Sequence, residues 1–143
     1  MWSLLSLVHL IGLALGVGCA SVKLVLLLRA KLNHAFIPAY LEVARPITRL
    51  IILGLALLVF SGIGFMLTGY QFTPLLVVKL VLVGTILVLG PVIDNVIEPR
   101  FLRLAPAAGT SPSPAFIRIQ RRYLLAETIA TGLFYVILVV WKR

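Results

Sequence analysis

Four long apolar runs decide what this chain can fold into. They are Leu4 to Leu28, Ile47 to Leu67, Pro74 to about Val96, and Leu124 to Trp141, with lengths of 25, 21, 23 and 18 residues. About 20 apolar residues wound as a helix cover the roughly 30 Å of bilayer hydrocarbon. Lipid offers no partners to backbone N–H and C=O groups, so a spanning segment must be a helix or part of a closed barrel. None of the runs alternates with period two, which argues against the barrel. The expected fold is an all-α, four-helix transmembrane bundle, one domain over residues 1–143. A chain 62% hydrophobic and 12% charged has too much apolar surface for a water-soluble fold of this length.

The first run could pass for a secretory leader. It lacks a charged segment before it, exceeds the usual leader length and ends in Arg29 and Lys31, so it reads as a retained helix.

Charge then sets direction. The net charge of +9 suggests nucleic acid at first, but the basic residues flank apolar runs and form no basic surface helix with interleaved aromatics. Nucleic acid is therefore excluded as a partner, and the bilayer is the expected one. Nine of the thirteen basic residues lie in or beside the first and third connections: Arg29, Lys31, Arg45 and Arg49, then Arg100, Arg103, Arg118, Arg121 and Arg122. The second connection, Thr68 to Thr73, has none. The positive-inside rule puts the basic connections in the cytoplasm and both termini on the outer, periplasmic side. Lys142 and Arg143 run mildly against this. Trp2, Tyr70, Phe72 and Trp141 fall near the outer interface and Tyr40 and Tyr123 near the inner one, depths that amphipathic rings prefer.

Two connections are longer than a turn. Residues 30–46 read as a cytoplasmic segment with an interfacial helical turn. Residues 105–115, APAAGTSPSPA, are rich in Pro, Ser and Gly and read as a flexible cytoplasmic linker. Phe116 to Tyr123 reads as an early, interfacial start to the fourth helix. No internal repeat is evident.

Ionisable residues inside spans are costly and mark candidate sites. On the first helix His9, Gly12, Gly16, Cys19 and Lys23 are spaced 3, 4, 3 and 4, so they share one face. Gly12 and Gly16 form a GxxxG pair, which admits either a neighbouring backbone or a flat ligand. The lone Cys19 reads as a small packing residue. On the third helix Lys79, Val83, Ile86, Gly90 and Asp94 follow one stripe. His9 and Lys79 each lie about five residues, or roughly 7–8 Å, below the outer boundary, on helices that run the same way. Two readings stand for this pair: a snorkelling lysine beside a hydrogen-bonded histidine, or an outer-leaflet site. Lys23, Asp94, Glu127 and Arg49 form a second group at the inner rim. It reads either as charge pairing that locks the bundle ends or as a substrate or proton path.

Standard motifs are missing. There is no HExxH, CxxC or GxxxxGK, and no carboxylate pair on one span. His34 falls in the first connection, too far from His9 for bis-histidine haem ligation within one chain.

The first span, LVHLIGLALGVGCASVKLVLLLRAK, and the third, TPLLVVKLVLVGTILVLG, resemble those of the bacterial membrane protoporphyrinogen oxidases of the HemJ type. The copper-resistance protein D membrane domain is a more distant likeness. The first resemblance implies a b-type haem in the bacterial cytoplasmic membrane. His9 would be the axial metal ligand, Lys79 would lie close by, and Gly12 and Gly16 would admit the ring.

Three functions follow as expectations. One is a haem-binding redox protein. Another is a structural or assembly subunit of a larger membrane complex or homo-oligomer, consistent with short loops and small-residue faces. The last is a small metal transporter using His9 and Met66.

Overall fold

The structure, a computed structural model, describes residues 2–69 and 71–141, with Trp2 and Trp141 as backbone only. The interfacial roles expected for Trp2, Tyr70 and Trp141, and the charges of Lys142 and Arg143, lie outside what it describes. Among the described residues the secondary structure is all-helical: α1 (Trp2–Leu32), a 3-10 turn (His34–Phe36), α2 (Ile37–Leu67), α3 (Pro74–Val92), a π turn (Ile93–Ile97), α4 (Glu98–Leu104) and α5 (Pro114–Trp141). The third span runs continuously through α3, the π turn and α4, so four helical rods are long and apolar enough to cross a membrane.

The rods are longer than the apolar runs. α1 and α2 have 31 residues each, roughly 46 Å at 1.5 Å per residue, against about 30 Å of hydrocarbon. The connection at 68–73 is short, so the excess lies at the other, arginine-rich end. There the segment expected as a cytoplasmic connection is mostly helix: α2 begins at Ile37, ten residues before the apolar run at Ile47. Ile37, Tyr40 and Ala44, spaced 3 and 4, form a buried stripe on this extension. Pro38 sits in the first turn, where its missing N–H costs nothing. α5 likewise begins at Pro114, with Ser113 Oγ accepting from the Phe116 N–H at 3.2 Å.

These overhangs make a collar. Leu27, Ala30, Ile37, Tyr40, Ala44, Phe101, Phe116 and Tyr123 are buried together. Phe101 is its hub, with ring centroids 5.0 Å from Phe116 and 5.1 Å from Tyr123. Tyr40 and Tyr123 are thus 1% and 0% exposed. They face protein, not headgroups, because the helix ends that overhang the apolar runs pack around them. A second cluster of Leu13, Ala20, Leu58, Ile86, Phe134 and Ile137 fills the middle of the bundle.

Lipid tails are as apolar as leucine, so close packing and polar contacts must hold spans together. The tightest packing joins α1 to α2. A Cβ placed on Gly54 would lie 2.7 Å from the Gly16 nitrogen and 2.8 Å from the Gly12 carbonyl oxygen. α5 packs on α1 and α3, giving the order α2, α1, α5, α3.

The π turn has a local cause. Pro91 and Pro99 each lack an N–H and crowd the carbonyl four residues back. The ladder between them slips by one residue, and the Glu98 N–H bonds Ile93 O. The Asn95 amide donates to Pro91 O at 2.9 Å. Such single-turn bulges recur at functional positions, and this one carries Asp94 at its start and leads into Glu98.

Candidate functional site

The buried charge of the bundle converges on Lys23. It belongs to the inward stripe Ala20, Lys23, Leu27 and Ala30 of α1, six residues or roughly 9 Å before Arg29. Its Nζ lies 2.7 Å from Glu127 Oε1, 3.2 Å from Glu98 Oε2 and 3.6 Å from Asp94 Oδ1. Asp94 and Glu98 reach it from the two sides of the π turn. Glu127 comes from α5, on the buried stripe that also holds Tyr123, Ala130 and Phe134.

Two tyrosines extend the network into the collar. Tyr123 OH donates to Glu98 Oε2 at 3.0 Å, and Tyr40 OH donates to Tyr123 OH at 2.9 Å. The Lys23 ammonium also stands 5.5 Å from the centre of the Tyr123 ring, within cation–π range. Lys23, Glu98 and Glu127 are buried, while the Asp94 side chain keeps 25% exposure at the edge.

Charge balance defines what this arrangement can do. One ammonium faces three carboxyl groups within 4 Å. Uncompensated ions in a low-dielectric interior cost many kcal/mol. Neutrality therefore calls for up to two further positive charges, which protons on the carboxyls would supply. The site can store and exchange charge, with Asp94 at its accessible edge.

The sequence grouped Lys23, Asp94, Glu127 and Arg49. The first three meet and Arg49 does not. It is exposed on α2, five residues from Gly54 and so about 140° around the helix from the inward face. Glu98 was missed, and with Asp94 it supplies the carboxylate pair on one span thought absent. The missed Glu98 and the missed carboxylate pair have one cause: the third helix continues past Val96 to Leu104. The available signal was the four-residue spacing of Asp94 and Glu98, which puts them on one face.

A smaller polar group lies toward the opposite end. His9 Nδ1 is 2.8 Å from Ser61 Oγ. Ser61 Oγ also reaches the Leu57 carbonyl at 2.6 Å and the Leu58 carbonyl at 3.1 Å; with its hydroxyl proton on either carbonyl it accepts from a His9 Nδ1–H. In that tautomer the ring lone pair is on Nε2. The Phe65 ring meets the imidazole edge-on at 5.8 Å, and Lys79, half-buried on α3, lies within electrostatic reach.

This tautomer suits an axial haem ligand. The glycine face expected to take the porphyrin does not fit it. Gly12 and Gly54 are packed backbone to backbone, and a Cβ on Gly16 would lie 2.9 Å from the Phe134 ring. Helix packing fills the space a ring would need there. For the transporter reading, Met66 lies on an exposed part of α2, and among the described residues no group of three or more His, Cys, Asp or Glu side chains is placed to hold a metal.

No protein-family model, curated protein or solved structure matches this chain.

Proposed function

We propose that this chain is a proton-loading membrane protein whose working centre is the Lys23 carboxyl cluster. One observation carries the reading: a buried lysine faces three carboxyl groups that it cannot balance alone. Asp94 is the entry at the edge of the bundle. Glu98 and Glu127 hold the charge, and Tyr123 and Tyr40 continue the hydrogen-bonded chain into the collar. With the arginine-rich end in the cytoplasm and both termini outside, as the basic connections favour, the cluster loads from the cytoplasmic side of a cell membrane.

The test is a pH jump on protein in lipid nanodiscs, followed with an indicator dye. Glu127→Gln is expected to take up fewer protons than the wild type, and Lys23→Met, with the ammonium gone, to take them up at higher pH. Equal uptake in all three would end the reading. A loss of thermal stability without any change in uptake would make the cluster a bundle lock instead.

A second reading, a redox protein that holds haem b through His9 with Lys79 beside it, has in its favour the Ser61 hydroxyl 2.8 Å from His9 Nδ1, a contact that suits a ring ligating through Nε2. The visible spectrum of the purified protein tests it. No Soret band, or one unchanged in His9→Ala, would remove it.

A further inference from the structure

A second concentration of charge lies outside the Lys23 cluster and is independent of the proton-loading reading. Between the end of α4 and the first turns of α5 is a cleft of about 400 Å³, within the size range of small-ligand sites. Arg100 and Arg103 line it from one helix and Arg118 and Arg122 from the other. The spacings of three and four put each pair on one face, so four arginines line one open cleft.

Among the described residues no acidic side chain is placed to balance them. The sequence has only four acidic residues, Glu42, Asp94, Glu98 and Glu127. Three of these surround Lys23, and Glu42 is exposed on α2. Among the described residues, none of the four arginines makes an ion pair within 4 Å. Four like charges held together repel one another, so the cleft favours a ligand carrying more than one negative charge. Guanidinium groups match phosphate oxygens in bidentate geometry, which makes phosphate the fitting chemistry.

Position selects the source of the phosphate. The cleft opens where the spans leave the apolar zone, and Leu104 and Ile119 form part of its wall. Ile117, on the same turns of α5, is 45% exposed, and Val92 and Val96, one to two turns before Arg100 on the same rod, are exposed as well. A headgroup in the cleft would leave its acyl chains against these surfaces. We infer that the arginine cleft is a binding site for an anionic phospholipid, with preference for a headgroup carrying two phosphates. Basic pockets beside spans are known to take such headgroups.

The experiment is native mass spectrometry of the full chain. It is released from nanodiscs containing phosphatidylcholine with either a two-phosphate lipid of the diphosphatidylglycerol type or phosphatidylglycerol. The two-phosphate lipid is expected to stay bound most tightly. Arg100→Gln with Arg103→Gln, or Arg118→Gln with Arg122→Gln, is expected to weaken it about thirtyfold. Arg29→Gln with Arg45→Gln, exposed basic positions at the same end, is expected to leave it unchanged. Arg118→Lys keeps the charge without the fork and is expected to fall between. Equal weakening by the Arg29 and Arg45 changes would replace the site with diffuse attraction. Retention of phosphatidylcholine as tight as that of the two-phosphate lipid would overturn the headgroup preference. Displacement by soluble inorganic pyrophosphate as readily as by the lipid would overturn the membrane source. The melting temperature of each variant shows that the fold is intact.

Discussion

Lys23→Met is the sharpest perturbation the structure offers. The substitution conserves length and most of the apolar stem, so packing changes little. It removes the cation from between Glu98, Asp94 and Glu127, whose oxygens lie 3.2, 3.6 and 2.7 Å from Nζ. Removing one partner of a buried ion pair typically costs about 3–5 kcal/mol, because the remaining charge is stranded. Here more than one carboxyl is left, and Tyr123 OH still donates to Glu98, so the upper part of that range is expected. Lys23→Met combined with Glu127→Gln should recover about half the loss, since the closest of the three carboxyls becomes neutral. The assay is thermal unfolding in lipid nanodiscs, reported by maleimide labelling of Cys19, the single cysteine of the sequence and partly buried on α1. The single substitution should lower the midpoint by several degrees and the pair by clearly less. If Lys23→Met melts with the wild type, or if the second change deepens the loss, charge compensation at Lys23 is not what holds this site.

Three further outcomes follow from individual contacts. Gly54→Ala should cost about 2 kcal/mol, because its methyl would press on the Gly16 and Gly12 backbones. Gly84→Ala meets nothing within 4 Å and should be neutral or stabilise slightly through helix propensity; thermal melts compare the two. Tyr123→Phe leaves Glu98 Oε2 short of a donor and Tyr40 OH without its acceptor. It should cost about 1–3 kcal/mol and more than Tyr40→Phe, in the same assay. Gln120 is buried with its Nε2 unpartnered, so Gln120→Met should raise the midpoint, with a gain of about 1 kcal/mol.

Hydropathy marks where lipid begins, not where a helix ends. The four runs therefore located the spans but placed the start of α2 ten residues late and the end of the third span at Val96. The residues in dispute, Ile37, Tyr40, Ala44 and Phe101, are buried by one another in the collar, and that burial depends on tertiary packing. Spacing was the better guide where it was used. It put Gly12 and Gly16 on a face made for close approach, and Gly54 and Phe134 approach there. It put Lys23 and Asp94 at the ends of two stripes, and the two side chains meet. Depth without helical phase was misleading for Arg49, which shares the level of the rim but points away. The π turn left a trace in Pro91 and Pro99, but the slip that aims Asp94 and Glu98 at one lysine follows only once α1 and α5 are in place.

The most direct measurement of the central claim is infrared spectroscopy of the protein in membranes, with the glutamates and aspartates isotopically edited in turn. A Lys23 cluster that stores protons must show a carboxylic acid C=O stretch near neutral pH. That band should shift with glutamate labelling and be lost or altered in Glu127→Gln and Glu98→Gln. The pair Arg29→Gln and Arg45→Gln should leave it untouched. Fully ionised carboxylates in the wild-type protein, with no acid band, would contradict the account.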